Sequence, residues 1–175
     1  MKQKIIPFAI AVVLATIFFG CKEDTIQSRN DKQILQFEGR LTNHTDCKTF
    51  QRAGLVVNST DSSSCIEYSF DAGNHKLMLK HINAGFNCCP ESLYCLVTLR
   101  SDTIVIDEHE KLQGCHCNCL FDLDIEINGI EPGKYYIKMI EPYCGDQEKL
   151  YFEVDFAVRP AGSYCVKRTG YPWGF

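Results

Sequence analysis

From Cys115 to Ile127 every odd position is a cysteine or an apolar residue: Cys115, Cys117, Cys119, Phe121, Leu123, Ile125 and Ile127. His116, Asn118, Asp122, Asp124 and Glu126 fall between them, and Leu120 is the single apolar exception. A helix would scatter these residues around its circumference, whereas a strand puts alternate side chains on opposite faces. The run therefore predicts a half-buried strand. One face carries three sulfurs and then four apolar groups, so its first third is held by bridges rather than by packing. The other face is polar and wet.

The β pattern holds from Ile34 onward. Cys65–Phe70 is β-branched and aromatic, and Asp71-Ala72-Gly73-Asn74 supplies a turn before Lys76–Phe86. Leu93–Leu99 and Thr103–Asp107 read as a hairpin joined at Arg100-Ser101-Asp102, and Tyr151–Val158 as part of a last hairpin. Asn128-Gly129 and Glu131-Pro132-Gly133 punctuate the stretch between. No segment carries a 3.6-residue apolar stripe of helical length. Short strands separated by Gly and Pro turns predict an all-β, antiparallel sandwich. The segment Ile130–Ile137 is similar to the Pro-Gly turn and following strand of many immunoglobulin-like bacterial domains, which makes the expected sandwich immunoglobulin-like.

The N-terminus bears on compartment. Lys2 and Lys4 precede an apolar run, Ile5–Phe19, that is short for a membrane span and ends at Gly20-Cys21. This layout resembles a bacterial lipoprotein signal, with Phe18 and Phe19 standing where the usual box has an aliphatic and a small residue. The resemblance implies cleavage after residue 20, lipid on Cys21, and a membrane partnership through that lipid. Lys22, Glu23 and Asp24 resemble the Lys-acidic-acidic signal that sends Bacteroidota lipoproteins to the exterior face of the outer membrane. Residues 21–33 then form a polar tether, and 34–175 a single cysteine-rich domain. Cleavage removes Lys2 and Lys4 from 18 basic residues and none of 22 acids, which leaves 16 against 22 and a net charge of −6. No basic cluster is present, so nucleic acid is excluded as a partner.

Ten cysteines remain besides Cys21: Cys47, Cys65, Cys88, Cys89, Cys95, Cys115, Cys117, Cys119, Cys144 and Cys165. In an exported chain an even number reads as a disulfide framework. Three thiolates on one zinc lie only about 3.8 Å apart. Same-face residues on a strand are separated by about 6.8 Å per step, so an extended Cys115–Cys119 run cannot close on one ion. The alternative is a metal-binding envelope protein using Cys88/Cys89 and Cys115/Cys117/Cys119, with His81 as an extra ligand. Thiol–disulfide catalysis lacks both its motif and its βαβ context. The most economical pairing joins Cys88, Cys89 and Cys95 to Cys115, Cys117 and Cys119, with Cys47–Cys65 and Cys144–Cys165 completing the set. Cys89 precedes Pro90, so a bend at Asn87 or a bridge around a sheet edge is needed for its neighbour Cys88 to share that arrangement.

Other candidates are bland. His44, His75, His81, His109 and His116 show no metal-ligand spacing, Glu108 and Glu110 read as a charged strand end, and Ser62-Ser63-Ser64 as a polar loop. No catalytic residue, resident metal or cofactor is indicated. Tyr171, Trp173 and Phe175 form a possible ligand platform, with packing over the end of the sandwich the favoured alternative. Were the tail packed, the ligand surface would fall on the loops around Thr42–Gln51 or Cys144–Glu148.

Four segments together resemble small cysteine-rich exported lipoproteins of Bacteroidota of uncharacterised function. They are His81–Pro90, Cys115–Asp122, Glu141-Pro142-Tyr143, and Tyr164–Arg168 with Tyr171-Pro172-Trp173-Gly174. The resemblance implies location and fold but no activity. The expectation is a non-catalytic surface module that binds an unknown protein or glycan; a protease inhibitor on the same scaffold is a minor alternative.

Overall fold

The computed structural model describes residues 36–48, 63–112 and 116–169. The residues expected to carry lipid and the export signal (Cys21, Lys22, Glu23, Asp24), Cys115, and the tail aromatics Tyr171, Trp173 and Phe175 lie outside the described residues. Among those described there are nine strands: β1 (Glu38–His44), β2 (Ser63–Asp71), β3 (Lys76–Asn87), β4 (Pro90–Arg100), β5 (Thr103–Leu112), β6 (Asn118–Asn128), β7 (Lys134–Ile140), β8 (Tyr151–Asp155) and β9 (Ala161–Lys167). They form a five-stranded sheet, β1-β6-β3-β2-β9, packed on a four-stranded sheet, β4-β5-β7-β8. The protein is an all-β sandwich.

Pairing is antiparallel with one exception: β5 and β7 run parallel. The chain leaves β5, adds β6 to the other sheet and returns, and such a crossover restores the starting direction. The expected strand Tyr151–Val158 stops at Asp155. There the Asp155 carbonyl accepts from Val158 and Arg159 N–H, and its side chain accepts from Ala157 N–H.

Alternation dictates the core. In β6 the odd residues Cys119 to Ile127 are buried, while Asp124 and Glu126 point outward to Lys80, Lys76 and Arg40. Leu120 is buried too, at the point where Lys48 N–H bonds its carbonyl and the chain near Lys48 runs beside β6. Ile66, Leu79, Ile104, Ile106, Ile125 and Ile137 belong to the main cluster, and each such side chain contributes about 1.5–3 kcal/mol by leaving water. Gly39 lets the two sheets close at one side: a Cβ there would lie 2.5 Å from Val97 Cβ on β4. Gly129, in the turn predicted at Asn128-Gly129, has φ +78°, the left-handed region that glycine adopts without strain.

Three described disulfides link distant segments: Cys47–Cys119, Cys65–Cys165 and Cys88–Cys117. Cys88–Cys117 joins the two expected triples, and Cys89 is also disulfide-bonded. The pairings Cys47–Cys65 and Cys144–Cys165 are not formed. β2 and β9 are neighbours with Cys65 opposite Cys165, their Cα atoms 4.1 Å apart, a proximity that economy along the sequence does not register. Cys95 and Cys144, expected in bridges, are free and buried. The bend needed before Pro90 falls at Cys88-Cys89, where Asn87 Oδ1 accepts from Cys89 N–H at 3.0 Å, a local side-chain turn.

Candidate functional site

Between the sheets lies a polar cluster that alternation places there. Ser64 shares the inward parity of Ile66, Tyr68 and Phe70 on β2. His81 shares that of Leu77 and Leu79 on β3, and Glu108 that of Ile104 and Ile106 on β5. Ser64 Oγ is 2.8 Å from His81 Nε2, and His81 Nδ1 is 2.7 Å from Glu108 Oε1. Glu141, just past β7, places Oε1 3.7 Å from the same Nε2. Arg168, just past β9, donates to both Glu141 oxygens and, through Nη1, to Cys144 Sγ and the Glu148 carbonyl.

Burial works against the charged His81 ring, but contact with Glu108 and the nearby Glu141 outweigh it, and its pKa is raised. Burial likewise raises Glu108, with His81 opposing. The pair therefore holds its proton to higher pH than a free imidazole does. With His81 charged, two cations balance two carboxylates, which offsets part of the cost of burial, while Glu108 Oε2 and Arg168 Nε have no hydrogen-bond partner among the described residues. Burial and the facing Glu108 push the Cys95 thiol up to about 12.

Ser64, His81 and Glu108 repeat the hydrogen-bond order of a hydrolase triad. Both Ser64 and His81 are 0% exposed, so a substrate carbonyl has no path to Ser64 Oγ in this arrangement. Glu141 also sets an anion beside Nε2, the reverse of the N–H donors that a developing oxyanion needs. The cluster is a core network tying both sheets to the β9 end. Two readings change accordingly: Ser64 belongs to a buried strand rather than a polar loop, and Glu108 sits inside β5, which runs past Asp107.

The two outer faces differ in chemistry. The five-stranded sheet presents ion pairs such as Arg40–Glu126, Lys76–Glu126 and Lys80–Asp124. The four-stranded sheet carries ion pairs as well, Lys134–Glu153 and Lys111–Glu91, and among them it presents exposed large apolar side chains: Tyr94 and Leu96 on β4, Ile140 on β7 and Tyr151 on β8, against Met78 on the five-stranded sheet. Their order follows from register, with Tyr94 opposite His109, Leu96 opposite Asp107, Asp107 beside Ile140, and Lys138 opposite Tyr151. Tyr94 stacks on His109 at 5.1 Å and Tyr136 on Tyr151 at 5.6 Å. At the β7–β8 end of this face an open cavity of about 800 Å3 is lined by Thr103, Lys138, Ile140, Glu141, Lys149 and Tyr151.

Of the predicted ligand loops, Thr42 and Asn43 are engaged with Asp124, and 49–51 lie outside the described residues. Cys144–Glu148 is held by Arg168 and by Thr169 N–H to Gln147 Oε1. The alternative metal set fares differently from its expectation: Cys88, Cys117 and Cys119 are in disulfides, Cys89 is disulfide-bonded, and His81 is committed to Ser64 and Glu108, so none offers a free ligand atom there. His44 and His116 are exposed, and His75 and His109 half-buried. The outer apolar face was missed, though the outward positions Tyr94, Leu96, Tyr136 and Ile140 carry a signal: they break the polar-outside alternation.

Comparison of the chain with family models, with curated proteins and with solved structures returns no match.

Proposed function

We propose that this protein is a non-catalytic, lipid-anchored module of the outer cell surface that holds a protein or glycan ligand on the outer face of the four-stranded sheet. The observation that carries this reading is the number of large apolar side chains that the four-stranded sheet leaves in water, Tyr94, Leu96, Ile140 and Tyr151, interspersed with polar groups such as Asp107 and the Lys134–Glu153 pair. Exposed apolar side chains rimmed by polar residues mark interaction sites, and tyrosine is enriched in them. Lipidation at Cys21 and surface export through Lys22, Glu23 and Asp24 rest on the N-terminal signal, and the disulfides suit an oxidising compartment.

The reading is tested by screening the immobilised full chain against neutral and acidic oligosaccharides and serum proteins. Binding should be lost in a Leu96→Asp/Tyr151→Ala variant that keeps wild-type thermal stability. A ligand that binds both proteins equally places the binding surface elsewhere.

A further inference from the structure

The cavity at the β7–β8 end of the four-stranded sheet is lined by more than one basic side chain. The chain carries a net charge of −4, yet two of the six side chains that matter here are lysines, Lys138 and Lys149. Among the described residues Lys138 forms no ion pair. Lys149 gives one hydrogen bond to the Gly145 carbonyl, and an ammonium has three donors. The cavity's carboxylate, Glu141, is 96% withdrawn from solvent on its side chain and held by Arg168 through both oxygens, so its charge is answered from inside the core. The cavity's lining thus presents two ammonium groups, its one lining carboxylate is answered by Arg168, and the nearby Asp102 carboxylate accepts from the Thr103 hydroxyl.

Its remaining walls supply other functions. The half-exposed Tyr151 ring, stacked on Tyr136, offers a flat apolar surface and a hydroxyl, and Thr103 Oγ1, which donates to Asp102, can still accept. A volume of about 800 Å3 lies within the range of sites that enclose small ligands, about 300–1,000 Å3. Two cations, one aromatic plane and two hydroxyls match a sugar ring that carries a carboxylate: apolar C–H groups against Tyr151, hydroxyls to Thr103 and Tyr151, carboxylate to the lysines.

We infer that this cavity binds an acidic saccharide, with Lys138 and Lys149 holding its carboxylate and Tyr151 its ring. The inference rests on the reading of the four-stranded sheet as the binding face.

The test is titration calorimetry of the full chain with an oligogalacturonate, a neutral oligosaccharide of equal length and an oligoglutamate peptide. The oligogalacturonate should bind and the other two should not. Lys138→Ala and Lys149→Ala should each weaken binding about tenfold, with the remaining affinity less sensitive to salt. Lys80→Ala on the opposite sheet should leave it unchanged. Equal binding of the neutral sugar, preferential binding of the peptide, or no effect of the two lysine changes overturns the inference. Absence of all saccharide binding, with another ligand still lost in Leu96→Asp/Tyr151→Ala, overturns it while leaving the binding-face reading intact. A ligand indifferent to both sets of changes removes both.

Discussion

Arg168 Nη2 lies 2.7 Å from each carboxylate oxygen of Glu141, and both side chains are almost fully withdrawn from water. One residue beyond the last strand is thereby fixed to the end of β7, in the other sheet. Removing one partner leaves an uncompensated buried charge, which typically costs about 3–5 kcal/mol. Arg168→Leu should therefore lower the urea midpoint sharply. Arg168→Met combined with Glu141→Leu should recover part of the loss, because neither charge is then stranded. A single variant as stable as wild type would show that the pair is solvated in solution.

The His81–Glu108 pair gives stability a definite pH slope. An unfolded histidine has a pKa of about 6.5, and the folded value is raised. The folded state therefore binds the proton more tightly. The contribution is complete below pH of about 6.5 and is lost as pH rises through the folded value. Glu108, also raised, acts with the same sign. The outer-face carboxylates Asp71, Glu126 and Glu153 are lowered by their hydrogen-bond partners and act oppositely, in acid. Urea midpoints should fall from pH 6 to 9, and more steeply than in a His81→Gln variant. A wild-type midpoint that stays flat or rises across that interval would contradict the assignment.

Thiol reactivity separates the cysteines. Cys95 and Cys144 should be silent to a thiol reagent in the native protein, because both are buried and burial pushes Cys95 up to about 12. Both should react after denaturation without reductant, while Cys47, Cys65, Cys88, Cys117, Cys119 and Cys165 should not. Cys117→Ser should cost about 2–5 kcal/mol, as is usual for loss of one native bridge. Rapid labelling of Cys95 in folded protein would require this end of the core to open.

The anchor is tested at Cys21. Mass spectrometry of protein from its native host should find a diacyl or triacyl group there. Changing Lys22, Glu23 and Asp24 to Ala should keep the lipid but protect the protein from external protease. An unmodified N-terminus elsewhere would make the protein a freely secreted one.

Strand character was legible because alternation is local. The run ending at Ile127 and the hairpin turns at Gly73 and Ser101 needed no knowledge of the other sheet. Disulfide partners were not legible, since Cys65 meets Cys165 only because β9 returns beside β2, 100 residues later. The polar cluster was half legible. His81 and Glu108 continue the inward parity of Leu79 and Ile106, but charge argued for the surface. Only the meeting of the two with each other across the sheets, beside Ser64 and the Glu141–Arg168 pair, makes their burial tenable. The outer face escaped notice because four separate strands contribute to it.

The most direct test of that face is an amide-exchange footprint of the full chain with and without oligogalacturonate. Protection is expected in β7, β8 and the start of β5, centred on Lys138 to Tyr151, with β1, β6 and β3 unchanged. Protection confined to the five-stranded sheet, or none in β7 and β8 at saturating oligosaccharide, would contradict the account.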